Sequence, residues 1–231
     1  MKSKIYEIFD SIQGEGPYVG VRQVFVRFYE CNIHCDWCDT PASIGDAPGA
    51  AHFKEYSTPE LMDEILKLDK DCSSVSLTGG EPLVQADFLK EFLPVLKKSG
   101  IQTYLETNGI FYKELKGLID NVDVVAMDIK LPSSAKTRPF WKEHEEFLKI
   151  ALKRDCFIKV VISGGTLKEE VLQSAQIISR ISPEALFILQ PNYFEIKNGV
   201  VKKCLEFQQD CLKLLPRVRV MPQVHKFIKL R

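Results

Sequence analysis

Cys31, Cys35 and Cys38 form a CxxxCxxC pattern directly after an apolar run rich in Val and Phe. Three thiolates on one loop can cap three irons of a [4Fe–4S] cubane. The fourth iron is then open to a ligand from outside the protein, unlike the closed four-cysteine clusters that only carry electrons. An open iron is a site for chemistry. The competing use of these thiols is a zinc knot completed by His34 or a distant residue, because zinc favours four-coordinate Cys and His sites. No second CxxC and no HxxxH follows downstream. The other cysteines, Cys72, Cys156, Cys204 and Cys211, are scattered, and seven in all is a poor disulfide framework.

Further polar clusters recur along the chain: Ser11-Ile12-Gln13-Gly14-Glu15-Gly16, Thr78-Gly79-Gly80-Glu81-Pro82, Glu106-Thr107-Asn108-Gly109, Asp128-Ile129-Lys130 and Gln223-Val224-His225-Lys226-Phe227. Most sit just behind a Val/Ile/Phe-rich run, which is where a strand would end. Such runs predict strands at 24–29, 74–78, 103–106, 122–127, 157–162, 186–190 and 218–221, after an extended opening segment. Amphipathic stretches between them predict helices at 59–68, 86–99, 140–153, 168–180 and 200–215, with a shorter one at 112–119. Thr58 is the expected N-cap of the first, ahead of Pro59, and Gly100 the C-cap of the second. The alternation argues for an α/β fold of parallel βα units with one catalytic rim at the carboxyl ends of the strands. Periodicity alone does not choose between a doubly wound sheet and a barrel.

With 231 residues and 45% hydrophobic composition the chain can bury one sizeable core, so a single domain spanning 1–231 is expected. Residues 41–56, rich in Gly, Pro and Ala, read as an irregular insert after the cysteine loop. Lys plus Arg and Asp plus Glu stand at 31 each, which gives no electrostatic footprint for a nucleic-acid backbone. No apolar run approaches the roughly 20 residues that span a bilayer. The first ten residues lack the apolar core of a secretion signal, and a cytoplasmic location is expected.

The cysteine loop, GGEP, ETNG and D-x-K segments together resemble the radical S-adenosylmethionine (SAM) superfamily. That resemblance implies a partial (β/α)6 barrel, with some helices shortened or missing. It also implies a [4Fe–4S] cluster on Cys31, Cys35 and Cys38, and SAM bound to the open iron and cleaved reductively to a 5′-deoxyadenosyl radical. Asp36, Trp37, Gly79, Gly80, Glu81, Glu106, Thr107, Asp128 and Lys130 would then hold SAM. Glu81 and the backbone beside it would receive the SAM amino group, Lys130 would suit its carboxylate, and the glycines would let the main chain approach the ligand.

The QGEG segment, Cys38-Asp39-Thr40 and the terminal HKF are similar to those of the 7-carboxy-7-deazaguanine synthase family, over nearly the whole chain. The family converts 6-carboxy-5,6,7,8-tetrahydropterin to 7-carboxy-7-deazaguanine with loss of ammonia, on the route to queuosine-type bases. By this resemblance Ile12, Gln13, Gly14, Glu15, Gly16, Arg27, Thr78, Gln190 and His225 would contact the pterin, and the terminal carboxylate of Arg231 would reach it. Glu15 would accept its guanidine-like edge, and the planar fork of Arg27 would pair with its carboxylate. Thr40 would ligate Mg²⁺, which prefers oxygen donors. A flavodoxin- or ferredoxin-type electron donor and a homodimer are implied as well.

Two departures stand out: Val224 replaces the usual Thr before His225, and Asp128-Ile129-Lys130 replaces Ser-Pro-Lys. The second resembles the glycyl-radical-enzyme activases, which share CxxxCxxC, GGEP and D-x-K and act on a protein partner. QGEG, CDT and HKF favour the synthase. A zinc-stabilised interaction domain is the non-enzymatic alternative.

Overall fold

A computed structural model describes residues 1–45, 53–69 and 72–230. In chain order the elements are β1 (Lys2–Ile12), β2 (Arg22–Phe28), β3 (Lys54–Ser57), α1 (Thr58–Leu68), β4 (Ser74–Gly79), α2 (Ala86–Lys98), β5 (Gln102–Thr107), α3 (Tyr112–Lys116) and β6 (Val124–Asp128). They continue as α4 (Pro132–Ala135), α5 (Trp141–Ala151), β7 (Asp155–Ile162), α6 (Lys168–Ile181), β8 (Leu186–Pro191), α7 (Val200–Cys211), β9 (Val218–Val220) and α8 (Val224–Ile228). One nine-stranded sheet runs in the order β3-β1-β2-β4-β5-β6-β7-β8-β9 and does not close on itself. From β2 to β9 every neighbouring pair is parallel, and each corresponds to an apolar run anticipated as a strand.

Those strands are legible because both faces are covered. Outward residues such as Val75, Leu77, Leu105, Met127, Ile158 and Leu189 pack against the helices in the main core. Helix α2 meets them with Phe88, Leu89, Phe92 and Leu93, a spacing that keeps one helix face apolar. Phe88 stacks on Phe92 with ring centroids 5.5 Å apart.

Inward residues alternate with these and change character along each strand. Near the amino ends Tyr104, Val124, Phe157, Leu186 and Ile188 form a separate apolar plug, with Tyr18 edge-on to Tyr104 at 5.3 Å. Toward the carboxyl ends the same inward rows present Glu106, Asp128, Lys159 and Gln190. The plug is a floor, and the polar positions are the walls above it.

Three local expectations need correction. Residues 54–56 of the presumed insert belong to β3, which pairs antiparallel with β1 through Tyr56 and Ser3. Only Tyr56 in that strand is buried, so its alternation is too short to read, and Lys54 and Glu55 suit an exposed edge; residues 46–52 lie outside the described residues. Helix α1 is capped one residue earlier than expected, at Ser57, whose N–H donates to Glu60 Oε2 at 2.7 Å. Helices α3, α5 and α7 stop short of their apolar patterns; after α7 the chain turns, with Leu215 N–H donating to Cys211 C=O, and still buries Leu215. Among the described residues no helix is long and apolar enough to cross a membrane.

Candidate active site

Above the floor lies a cavity of about 430 Å³ whose wall includes Cys31, Cys35 and Cys38. All three are partly buried and free. Burial pushes the Cys31 thiol up to about 12 and raises Cys35 as well, so without a bound cation these are neutral donors. Among the described residues no three His, Cys, Asp or Glu side chains gather tightly enough for a single ion. Three thiols from one loop on one cavity wall can hold three irons of a cluster and leave a fourth open. The remaining cysteines do not line the cavity: Cys72, Cys204 and Cys211 are in the main core and Cys156 packs against it.

Gly79 and Gly80 are glycines for a reason other than ligand approach. A Cβ on Gly80 would stand 2.1 Å from the Glu30 carbonyl oxygen, and one on Gly79 2.3 Å from that of Phe28. The end of β4 therefore lies hard against the chain entering the cysteine loop. Gly80 N–H donates to Phe28 C=O at 3.0 Å and Glu81 N–H to Glu30 C=O at 2.9 Å. Glu30, immediately before Cys31, has φ +80°. The GGEP segment thus sets where the cysteine loop begins.

The Glu81 carboxylate is also engaged within the protein. It accepts from Asn108 N–H at 2.7 Å, Thr107 Oγ1 at 2.9 Å and Leu83 N–H at 3.1 Å. Burial pushes its carboxyl up to about 7 although these donors favour the ionised form. Asn108, missing from the expected set although quoted in ETNG, donates from Nδ2 to Asn32 Oδ1 at 2.7 Å and so reaches the cysteine loop. Behind it, fully buried His144 bonds through Nε2 to Asn108 C=O at 3.1 Å.

Burial pushes the His144 imidazole down to about 4, so it folds neutral. In the unfolded chain it takes up a proton near its ordinary value of 6.5. Between these values the unfolded state binds more protons, so His144 favours folding increasingly as pH rises from about 4 to 6.5 and costs stability as pH falls. We expect His144→Gln to remove that component, on the order of 3 kcal/mol across the window. Urea melts of both proteins from acid to neutral pH check this; parallel pH profiles would show that His144 does not titrate in that window.

Glu106 gathers the floor side of the cavity, accepting from Gln13 Nε2 at 2.9 Å and from Ser76 Oγ and Thr78 Oγ1 at 3.0 Å each. Gln13 also orders the next turn, because its Oε1 accepts from Glu15 N–H at 3.0 Å. Glu15 pairs with Lys159 and accepts from Gln223 Nε2 at 2.8 Å. Burial alone would push its carboxyl up; Lys159, with Gln223 and His225, overcomes that and holds it down at about 2. Lys130 lies 2.7 Å from Asp128 Oδ2 and 4.7 Å from the Trp37 ring centroid. Trp37 itself donates to Ser134 Oγ at 2.9 Å.

Ile12, Gln13, Gly14, Glu15, Thr78, Thr107, Gln190 and His225 line the cavity as anticipated, as does Thr40, with its hydroxyl 4.0 Å from Cys38 Sγ. Arg27 lines it too, but its Nε donates to Glu7 Oε1 at 2.8 Å, a partner the sequence reading missed. Two anticipated residues fall elsewhere. Asp36 is exposed, outside the cavity lining, with its N–H donating to Ala135 C=O at 3.3 Å, while Gly16, at φ +64°, packs against Phe157 of the floor, where a Cβ would come within 2.5 Å of the ring. Arg231 lies outside the described residues.

An open, largely parallel sheet with three loop thiols and a polar cavity at its carboxyl rim defines a radical SAM protein, and residues 25–175 match the family described as the Radical SAM superfamily. The chain is 37% identical to a 7-carboxy-7-deazaguanine synthase of Geobacter sulfurreducens, over 98% of this chain and 97% of that protein. It is 34% identical to one of Methanocaldococcus jannaschii, over 97% and 98% respectively. The chain belongs to the 7-carboxy-7-deazaguanine synthase family. Among solved structures, QueE from Escherichia coli superposes with a TM-score of 0.66 at 20% identity, covering 97% of this chain and 95% of that one. TYW1 with a lysine–pyruvate adduct bound superposes with 0.60 at 13% identity, covering 83% and 73%, which speaks to the shared fold.

Proposed function

We propose that the protein is a 7-carboxy-7-deazaguanine synthase, converting 6-carboxy-5,6,7,8-tetrahydropterin to 7-carboxy-7-deazaguanine with release of ammonia. The observation that carries this reading is the closure of two distant segments over the cysteine cavity. Val224 N–H donates to Gly14 C=O at 2.8 Å, and a Cβ on Gly14 would lie 2.2 Å from His225 Nδ1. QGEG and the terminal HKF therefore meet at the cavity mouth. A cavity of about 430 Å³ lined by both segments suits small molecules better than a protein chain. This argues against the activase reading, as do relatives matched over their full length.

Cys31, Cys35 and Cys38 would hold the cluster, which together with SAM would supply the radical chemistry the ring contraction needs. The protein's residues bind, orient and exclude water. Lys130 meets the SAM carboxylate, while the rim built by Gly79, Gly80, Glu81 and Thr107 fixes the loop around the SAM amino group. Glu15, held ionised, accepts the guanidine-like N–H edge of the pterin. Arg27 shares its fork between Glu7 and the substrate carboxylate. Gln190 is buried with its Oε1 unpartnered, an acceptor waiting for a ligand donor. His225 covers the pterin from α8. Thr40 offers an oxygen to Mg²⁺ beside the substrate carboxylate. A flavodoxin- or ferredoxin-type donor, a homodimer, a single domain and a cytoplasmic location complete the reading; these rest on the family resemblance and the sequence composition.

The test is anaerobic incubation of cluster-replete protein with SAM, reductant, Mg²⁺ and 6-carboxytetrahydropterin, with product read by mass. Formation of 7-carboxy-7-deazaguanine is expected, and its absence refutes the assignment. Thr40→Ala is expected to lower turnover and blunt the response to Mg²⁺, with iron content unchanged. An unaltered Mg²⁺ titration would remove Thr40 from that role.

A further inference from the structure

Lys159 is a buried cation in the middle of a strand whose other charge is the exposed Asp155 at its start. It lies between Phe157 of the floor and Val161 of the cavity wall, with its side chain 11% exposed. Its ammonium pairs with Glu15 Oε2 and lies 3.8 Å from Asp128 Oδ2. The same Asp128 oxygen takes Lys130, whose Nζ rests over the Trp37 ring. On the other side, Glu15 Oε1 takes Gln223 Nε2, which also reaches Asp39 Oδ2 at 3.3 Å. A polar girdle therefore leaves the cysteine loop at Trp37 and returns to it at Asp39, passing through Lys130, Asp128, Lys159, Glu15 and Gln223. Lys159 is where it crosses from the strand carrying the SAM-side residues to the loop carrying the pterin-side carboxylate.

We propose that Lys159 is the positioning residue that fixes Glu15 for pterin recognition and ties it to Asp128 on the SAM side. The proposal rests on Glu15 receiving the pterin as described above. Glu15 comes from a loop segment without regular structure, so its direction is set by its partners. Two carboxylates as enclosed as Glu15 and Asp128 are costly to keep ionised without a cation between them. Lys159 fills that position and leaves Glu15 a charged acceptor, which binds N–H donors more strongly than a neutral one. The other ionisable groups facing Glu15 are His225 from α8, Tyr104 and Glu106 from β5, and Asp128 from β6. These groups, and Lys226 of α8, which lies 3.1 Å from Asp39 Oδ2, are common to wild type and variant.

Equilibrium binding without reductant separates positioning from turnover. Cluster-containing protein with SAM is titrated anaerobically with 6-carboxytetrahydropterin by calorimetry at several pH values. We expect Lys159→Met to weaken binding about 10–100-fold near neutral pH. Its affinity should recover as pH rises and Glu15 ionises unaided, whereas the wild type shows no such recovery. Lys159→Arg should stay near wild type and Lys159→Gln should behave like Met, which keeps the test open if the Met variant folds poorly. A merely structural role would lower the melting temperature and leave the pH profiles parallel. If Glu15→Gln loses binding while Lys159→Met and Lys159→Gln bind as wild type throughout, the role of Lys159 is overturned. If Glu15→Gln itself binds normally, the pterin reading of Glu15 falls instead.

Discussion

Cys35→Ala is expected to purify without its iron and labile sulfide after anaerobic reconstitution and to show no reductive cleavage of SAM. The loss should exceed the roughly 10–100-fold that follows from removing an outer partner of a metal ligand, because a ligand itself is gone. Cys35 is partly exposed on a loop at the cavity wall, so its thiol contributes little to the core. The folded state should survive, and circular dichroism should match the wild type. Cys204→Ala is the informative contrast: that thiol is fully buried in the main core, so its removal should cost stability and leave iron content intact. Iron and sulfide assays on the two variants separate the roles. Full iron loading in Cys35→Ala would overturn the cluster assignment.

Gly80→Ala should be among the most damaging single methyls in the described residues. The added carbon would stand 2.1 Å from the Glu30 carbonyl oxygen and 2.9 Å from that of Ser43. Both are backbone atoms, so no side chain can swing away; either β4 or the entry to the cysteine loop has to move. A loss of about 4–5 kcal/mol, at the severe end for point substitutions, is expected together with poor iron loading. Gly100→Ala tests the reasoning, since nothing lies within 4 Å of its missing Cβ and only its φ of +73° resists substitution. That should cost about 1 kcal/mol. Chemical denaturation of the two variants checks the ranking, and equal losses would show that the close contact is not what matters.

Much of this was legible in the sequence for identifiable reasons. The parallel strands are covered on both faces, so they appear as continuous apolar runs, and the motifs fall where those runs end. β3 escaped because this four-residue edge strand has only one buried residue. Lys159 escaped for a different reason: in Asp-Cys-Phe-Ile-Lys-Val-Val-Ile it looks like a blemish in a buried strand. The available signal was its parity with Phe157, which puts it on the inward row of the strand, above the floor. Glu7 sits on the antiparallel β1, outside any motif, and only the pairing of Glu7 with Arg27 in the β1–β2 register brings them together. The glycines of GGEP were visible, but the reason for them was not, because sequence does not reveal that a second backbone lies against them. Gly16 and Asp36, though within the motifs, fall outside the cavity lining, because position in a motif does not say which way a residue faces.

The inward rows have one further consequence. On β5, β6, β7 and β8 the residues that touch ligand space alternate with residues that hold the helices, and the apolar plug separates that space from the amino ends. A lineage that exchanges Glu106, Asp128, Lys159 or Gln190 thus alters chemistry at positions the main core never contacts. Such a scaffold is open to inheritance with modification: its reaction can be rewritten at one end of each strand while the architecture is passed on unchanged by the other.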